Sequence, residues 1–368
     1  MKQFFLLVIV CISLQATAQN NAISWNKVVT GTIGNYDATM YLQKTGKACS
    51  GYYYYDNKQI PIRLADASSS TDSVHLAAYG YNNEESFDGI LEGDIFKGIW
   101  KNIKDEKTTM LPFTFMVNAT APDPYFDVVF TEYNTEYPVG GADGNNPGYT
   151  YFASALWPVP DTQIPISNFL KKWVNSTFGR KNSVEPIGKF FINQKNNGVA
   201  GWRKDLKAEK KENIIEYPSG HSISSERRLL IMYQSEQYLS VADFSYDFAG
   251  GAHGNYGTSC AVLDLKKMKQ LKLTDVFTVG GKQKLAVLLD AAVRTKFNIA
   301  KGAKLNAEEG GELLVSKIEP TDNFYITGKG VGFNYVPYEI AAYAFGETNL
   351  FIPYEKLKGL LQPAFIKL

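Results

Sequence analysis

From residue 36 to residue 117 the chain falls into short β-branched or aromatic runs: "YDATMYLQ", "ACSGYYYY", "QIPIRLA", "SVHLAAYG", "SFDGILEGDIFKGIWKN" and "MLPFTFMV". Turn-rich breaks such as "KTGK", "YDNK" and "DASSSTD" separate them. That spacing is the signature of an antiparallel meander. Gly89, Gly93 and Gly98, leading to Trp100, predict bends or bulges in a strongly curved sheet or small barrel. Residues 23–117 are therefore expected to form a self-contained all-β domain.

"NATAPDP", residues 118–124, is small, polar and proline-bearing, and reads as a linker. Beyond it the pattern turns mixed. "PISNFLKKWVNSTFG" predicts a helix with Ser167 as N-cap, Ile166 as staple, Phe169, Leu170, Trp173 and Val174 on one face, and Gly179 as the stop. "KQKLAVLLDAAVRTKF" repeats apolar residues at helical spacing through Leu285, Leu288, Leu289, Ala292 and Phe297. A last helix is expected over "PYEKLKGLL", with Pro353 in its first turn. Strand pairs at 229–246 and 324–336 lie between them without a regular βαβ rhythm. The fold class is thus α+β: an N-terminal antiparallel all-β domain followed by two α+β units, 124–226 and 227–368, with mostly antiparallel sheets. The length of 368 residues agrees with two or three domains.

The first residues carry Lys2, an apolar run from Phe4 to Leu14, and Ala16 and Ala18 in an A-x-A arrangement. This predicts a signal peptide over residues 1–18, and an apolar run too short to span a bilayer, which needs about 20 residues. An exported soluble protein, periplasmic or secreted, is the expectation. The chain holds 38 basic and 37 acidic residues, and removing the signal takes away Lys2 alone. The remaining charge is balanced, which argues against nucleic acid as a partner. Cys49 and Cys260 fall in different expected domains and are read as buried free thiols.

Familiar catalytic signatures are missing: the chain has no H-E-x-x-H, no G-x-S-x-G and no C-x-x-C. "GKGVGF" at 328–333 lies between strand-like residues and reads as a hairpin turn. "DGNNPG" gathers Asp143, Asn145 and Asn146 but fails the calcium-loop pattern at its next positions, so neither a metal nor a cofactor is expected. "DFAGGAHGNYG", residues 247–257, is the most suggestive loop. Its Gly250, Gly251, His253, Asn255 and Tyr256 are candidate binding residues, and "GGADGN" at 140–145 echoes it as a second hairpin loop. His253 with Asp243 or Asp247 is a weak catalytic candidate, because an exposed imidazole beside a carboxylate can act as acid and base. The competing reading is a histidine that ties loop carbonyls together. In the run Tyr52–Tyr55, alternation sends two rings to each face. Unless both faces are covered, Tyr52 and Tyr54 are available to stack on sugars or to anchor an interface.

"SYDFAGGAHGNYG", then "LDLKKMKQLKLTDVF", then "FNYVPYEIAAYAFGETNLFIPYEKLKGLL" together resemble a bacterial extracytoplasmic domain of unknown function. The resemblance covers about 227–368. Residues 124–226 are similar, more loosely, to a domain that often precedes it, and the N-terminal β domain is not covered. The pair occurs in the outer part of lysozyme-sensing anti-sigma factors and beside polysaccharide deacetylase domains. The chain has no sigma-binding segment and no deacetylase domain, so neither role transfers. What the resemblance implies is a non-enzymatic module of the cell envelope, recognising a glycan such as peptidoglycan or a lysozyme-like protein. The alternative is a hydrolase or esterase acting on envelope saccharides through His253.

Overall fold

The computed structural model describes residues 23–365 apart from short stretches at 71–72, 81–82, 105, 123–124, 141–144 and 160–163. The expected signal segment 1–18 and Asp143 lie outside the described residues.

Eight strands form a closed barrel: β1 (Ser24–Ile33), β2 (Tyr36–Thr45), β3 (Ala48–Tyr55), β4 (Ile62–Asp66), β5 (Ser73–Gly80), β6 (Asn83–Glu92), β7 (Ile95–Lys104) and β8 (Lys107–Val117). Each pairs antiparallel with its sequence neighbour, and β1 closes on β8. Alternate residues point inward, so Met40, Leu42, Tyr53, Phe87, Phe96 and Phe113 fill the interior. Gly89 and Gly98 face one another across the β6–β7 ladder. A Cβ at Gly98 would lie 2.1 Å from the Asp88 carbonyl oxygen, so the close approach of these strands requires glycine there.

A six-stranded sheet follows, in the order β14-β13-β12-β11-β10-β9. It comprises β9 (Phe126–Glu136), β10 (Gly148–Pro158), β11 (Ile223–Gln234), β12 (Tyr238–Phe248), β13 (Asn255–Asp264) and β14 (Lys269–Gln270). All pairings are antiparallel except β10 with β11, whose crossover contains α1 (Ile164–Thr177), α2 (Ile187–Ala208) and α3 (Lys211–Glu216). The expected boundary at 226/227 falls inside β11, and this one sheet takes strands from both sides of it. The C-terminal part adds α4 (Leu273–Val276), α5 (Val279–Lys296) and a three-stranded antiparallel sheet of β15 (Phe324–Ile326), β16 (Gly330–Tyr335) and β17 (Thr348–Pro353). Leu285, Leu289 and Val293 of α5 pack with Phe324, Val331 and Phe333 in the largest core.

Several sequence expectations change on contact with the structure. Helix α1 begins before Ser167, so that residue is not an N-cap; it is buried inside the helix. Trp173 is only half-buried and donates through Nε1 to Gln270 at 3.0 Å, while Leu170 and Val174 supply the buried face. The expected terminal helix is absent: Pro353 ends β17, and a single 3-10 turn, Tyr354–Lys356, follows. The carbonyl of Leu360 is instead taken by the Thr278 amide at 2.9 Å, and Leu361 bridges to Phe277. The described part of the expected linker, residues 118–122, is tied down. Asn118 donates its amide to Val28, Gln234 donates to the Pro122 carbonyl at 2.6 Å, and Ala121 is buried.

Tyr52 and Tyr54 are not exposed, since each retains 4% of its surface. Both faces of β2 and β3 are covered, one by the barrel interior and the other by the six-stranded sheet. Tyr54 packs with Tyr41 and Tyr233, and Tyr52 with Leu230, Met232 and Cys260. The barrel is thereby fused to the sheet along an apolar seam. Cys49 lies in the barrel core and Cys260 in that seam, both as free thiols, and burial pushes the Cys49 thiol up to about 12.

Candidate functional site

The loop "GGAHGN" joins β12 to β13 as a hairpin whose last pair is Asp247 with Asn255. Gly250 and Gly251 take φ of +83° and +95°, a region other residues occupy only with strain. His253 at the loop tip is exposed and lies over Tyr343, ring centroids 3.9 Å apart and planes 22° from parallel. Its Nδ1 is 3.0 Å from the Gly254 carbonyl oxygen, which also accepts from the Tyr343 hydroxyl at 2.7 Å. The Tyr338 hydroxyl stands 3.4 Å from Nε2. The imidazole therefore ties the loop to the segment before β17.

The candidate acids are elsewhere. Asp243 is gripped by Arg227, with Nε at 2.8 Å and Nη2 at 2.6 Å, and Arg227 in turn holds the Thr177 carbonyl and lies over Phe178. Asp247 is exposed and makes no contact with the imidazole. Among the described residues the histidine–carboxylate contact is His75 with Asp88, directly opposite across β5 and β6 on the barrel exterior. A constellation of His253 with Asp243 or Asp247 is thus not assembled. Nor does any group of three or more His, Cys, Asp or Glu among the described residues form a metal cluster. Asn146 accepts from the Val139 amide and donates to Glu136, while residues 141–144 of the expected hairpin loop lie outside the described residues.

The structure brings two of the candidates, Tyr52 and Tyr256, to a different place: a cleft of about 1570 Å³ between the barrel and the C-terminal part. One wall is β4 and the loop before it, with Arg63; the floor is β13, with Tyr256, Thr258 and Cys260. The opposite wall comes from α5, through Leu288 and Lys296, from β16, through Asn334, and from Glu347 just before β17.

Strand β13 has no strand partner along Thr258–Cys260 on the side away from β12, and side chains complete that edge. Asn323 acts as a peptide mimic, accepting from the Cys260 amide at 2.6 Å and donating to the Thr258 carbonyl at 2.9 Å. Asn334 donates to the same carbonyl at 3.0 Å. Glu347 accepts from the Thr258 amide through one oxygen and from its hydroxyl, at 3.0 Å, through the other. Such satisfaction is required, because an unpaired buried amide is costly. Burial lifts the Glu347 pKa above the usual carboxylate value, against the opposing influence of the Thr258 donors and the nearby Arg63 charge.

Arg63 is held differently. Its guanidinium carbon sits 3.4 Å from the centre of the Phe244 ring, and its buried Nε has no hydrogen-bond partner among the described residues. On the facing helix, burial lowers the Lys296 pKa below the ordinary lysine value. None of Arg63, Lys296, Asn334 or Glu347 stood out in the sequence. Arg63 lies in a short strand, and Glu347 in a turn-rich segment, so only the three-dimensional convergence of separate elements reveals them.

No helix of the described residues is long and apolar enough to cross a membrane. No curated protein matches the chain. A crystal structure of a DUF3298 family member from Bacteroides fragilis is 24% identical with a TM-score of 0.54, covering 65% of this chain and 94% of that one, which establishes likeness of fold. A DUF3298 family structure from Pseudomonas aeruginosa PAO1 is 19% identical with a TM-score of 0.43, covering 66% of this chain and 97% of the other. Residues 274–355, which span α5, β16 and most of the cleft wall opposite the barrel, match the model of a family described as a protein of unknown function, DUF3298.

Proposed function

We propose that the chain is a non-enzymatic binding module of the cell envelope, exported by its N-terminal segment, that takes a glycan strand in the cleft between barrel and C-terminal part. The observation that carries this reading is the cleft itself. Half-buried rings of Tyr256, Tyr343 and Phe351 line it beside the amides of Asn334 and Asn349, the combination of apolar ring faces and planar polar groups that suits saccharides. Its walls are rigid, since the barrel seam and the Asn323 and Glu347 contacts fix them before any ligand arrives. The hydrolytic alternative needs His253 beside a carboxylate, and it gains no support from a ring stacked on Tyr343.

The test uses soluble peptidoglycan strands, freed of their peptides by an amidase, titrated calorimetrically into the mature chain. Ala291 is exposed on α5 at the cleft, so Ala291→Trp should fill the cleft without disturbing the core. Saturable binding by the native chain, lost in Ala291→Trp with an unchanged thermal midpoint, is the expected result. Equal binding by both chains would move the site elsewhere. Absence of binding to the strands, with binding to lysozyme instead, would replace the glycan by a protein partner.

A further inference from the structure

Beyond the glycan reading, on which it rests, the charge of the cleft indicates which glycans fit. The chain as a whole has a formal net charge of +1. The cleft is lined by Lys58, Arg63, Lys296, Lys329 and Lys356 but only by Glu347 and Glu355 on the acidic side. That imbalance creates a local positive potential in a partly enclosed space, where field lines concentrate. Glu347, near enough to Arg63 for the two charges to act on each other, offsets only one of these five positive charges.

We infer that the cleft selects carboxylated saccharides, with Arg63 as the residue that binds the carboxylate. Three features of Arg63 converge on this role. Stacking on Phe244 fixes the plane of the guanidinium, so little side-chain freedom is lost when its fork engages a planar anion. Its Nε is buried out of a ligand's reach, whereas Nη1 and Nη2 are not sealed off and make no hydrogen bond among the described residues, which leaves the terminal pair of donors for a ligand carboxylate. It also stands in the same cleft as Tyr256, whose ring can cover a sugar face while the fork grips the acid. Lys296 on α5 adds a second positive charge from the opposite wall. The lactyl carboxylate of a muramic acid and the carboxylate of a uronic acid share this chemistry.

The experiment compares amidase-stripped peptidoglycan strands with the same strands after methyl esterification, and oligogalacturonate with its methyl ester, by calorimetry on the native chain. Tighter binding of the free acid than of its ester, by about tenfold or more, is expected for loss of one bidentate charge-assisted contact. Arg63→Gln should abolish the difference between acid and ester, and Arg63→Lys should restore it only in part, since an ammonium lacks the fork. If only one of the two acids binds, that acid identifies the source of the carboxylate. Acid and ester bound equally by the native chain, and neither by Ala291→Trp, would overturn this inference while leaving the glycan reading intact. No binding of any saccharide would overturn both. Acid selectivity that survives in Arg63→Gln would overturn the assignment to Arg63. If Arg63→Gln fails to fold, the comparison of acid with ester on the native chain still decides whether the cleft selects carboxylates.

Discussion

Gln43, on barrel strand β2, donates through Nε2 to the carbonyl of Leu229, on strand β11, at 2.9 Å. Its Oε1 accepts from Ser154 on β10 at 2.8 Å. One amide thus stitches the barrel to the two parallel strands of the neighbouring sheet, in surroundings where Gln43 keeps 1% of its surface and Ser154 none. Tyr41 adds a second stitch by accepting the Gln234 amide at 3.0 Å. The cleft depends on this seam, because one wall belongs to the barrel and the floor, β13, to the sheet that Gln43 joins to it.

Replacing Gln43 by leucine should therefore destabilise the whole chain. It leaves the Leu229 carbonyl and the Ser154 hydroxyl buried without this partner, a loss of about 1–3 kcal/mol. The midpoint of denaturant unfolding measures it. A midpoint equal to that of the native chain would mean that the seam is held by its apolar contacts alone.

Leu289 is fully buried in the C-terminal core, and its truncation to alanine is expected to cost about 2–5 kcal/mol. Trp173, read from its helical spacing as an equal core residue, is half-buried and should cost less on truncation, chiefly through lost packing and the Gln270 contact. Chemical denaturation of the two variants side by side gives the order. A larger loss at Trp173 would show that the outer face of α1 carries more of the packing than its exposure implies.

Much of the architecture was legible because it is local. The barrel strands announced themselves by alternation and turns, and the α5 pattern through Leu285 and Leu289 matched its buried face. Helix α2 escaped notice because Gly188, Gly198 and Gly201, with Asn193, Asn196 and Asn197, weaken intrinsic helix propensity. Tertiary contact overrides that weakness. A Cβ on Gly198 would fall 1.9 Å from the Tyr149 hydroxyl oxygen, so the glycine is there to let helix and strand approach, and Phe191, Trp202 and Leu206 are buried. The Tyr52–Tyr55 run misled in the opposite sense: alternation was right, but no sequence pattern tells that a second body covers the outer face. The cleft was illegible for a related reason. Arg63 lies more than two hundred positions before Lys296 and Glu347 and meets them only because the seam brings the barrel to the C-terminal part.

The histidine loop separates backbone strain from recognition. Gly251 has a positive φ and open space around its missing Cβ, so Gly251→Ala should cost about 1 kcal/mol from the left-handed backbone alone. At Gly250 a Cβ would also lie 2.5 Å from the Gly220 carbonyl oxygen, so Gly250→Ala should cost more, roughly 2–3 kcal/mol, because backbone must shift. His253→Ala removes a stacking partner of Tyr343 at an exposed position and is expected to change stability by less than about 1 kcal/mol. His253 does not line the cleft, so glycan binding should persist in that variant. Loss of binding in His253→Ala with an unaltered thermal midpoint would move the recognition surface from the cleft to the loop.

Glu347 gives the fold a pH dependence of definite sign. Burial is the largest influence on its carboxyl and raises the folded pKa above the unfolded 4.5, so the folded state holds its proton to higher pH than the unfolded state does. Where the folded state binds more protons, stability falls as pH rises. The contribution of this residue is thus fully present below about pH 4.5 and is lost as pH climbs through the raised folded value. Glu347→Gln keeps an acceptor for Thr258 and removes the titration. The thermal midpoint of the native chain, relative to that of Glu347→Gln, should therefore decline as pH rises above about 4.5 through the raised folded value and level off beyond it. A relative midpoint that rises over the same interval would show that the two Thr258 donors and the Arg63 charge outweigh burial, and that the carboxylate form is the one the strand edge prefers.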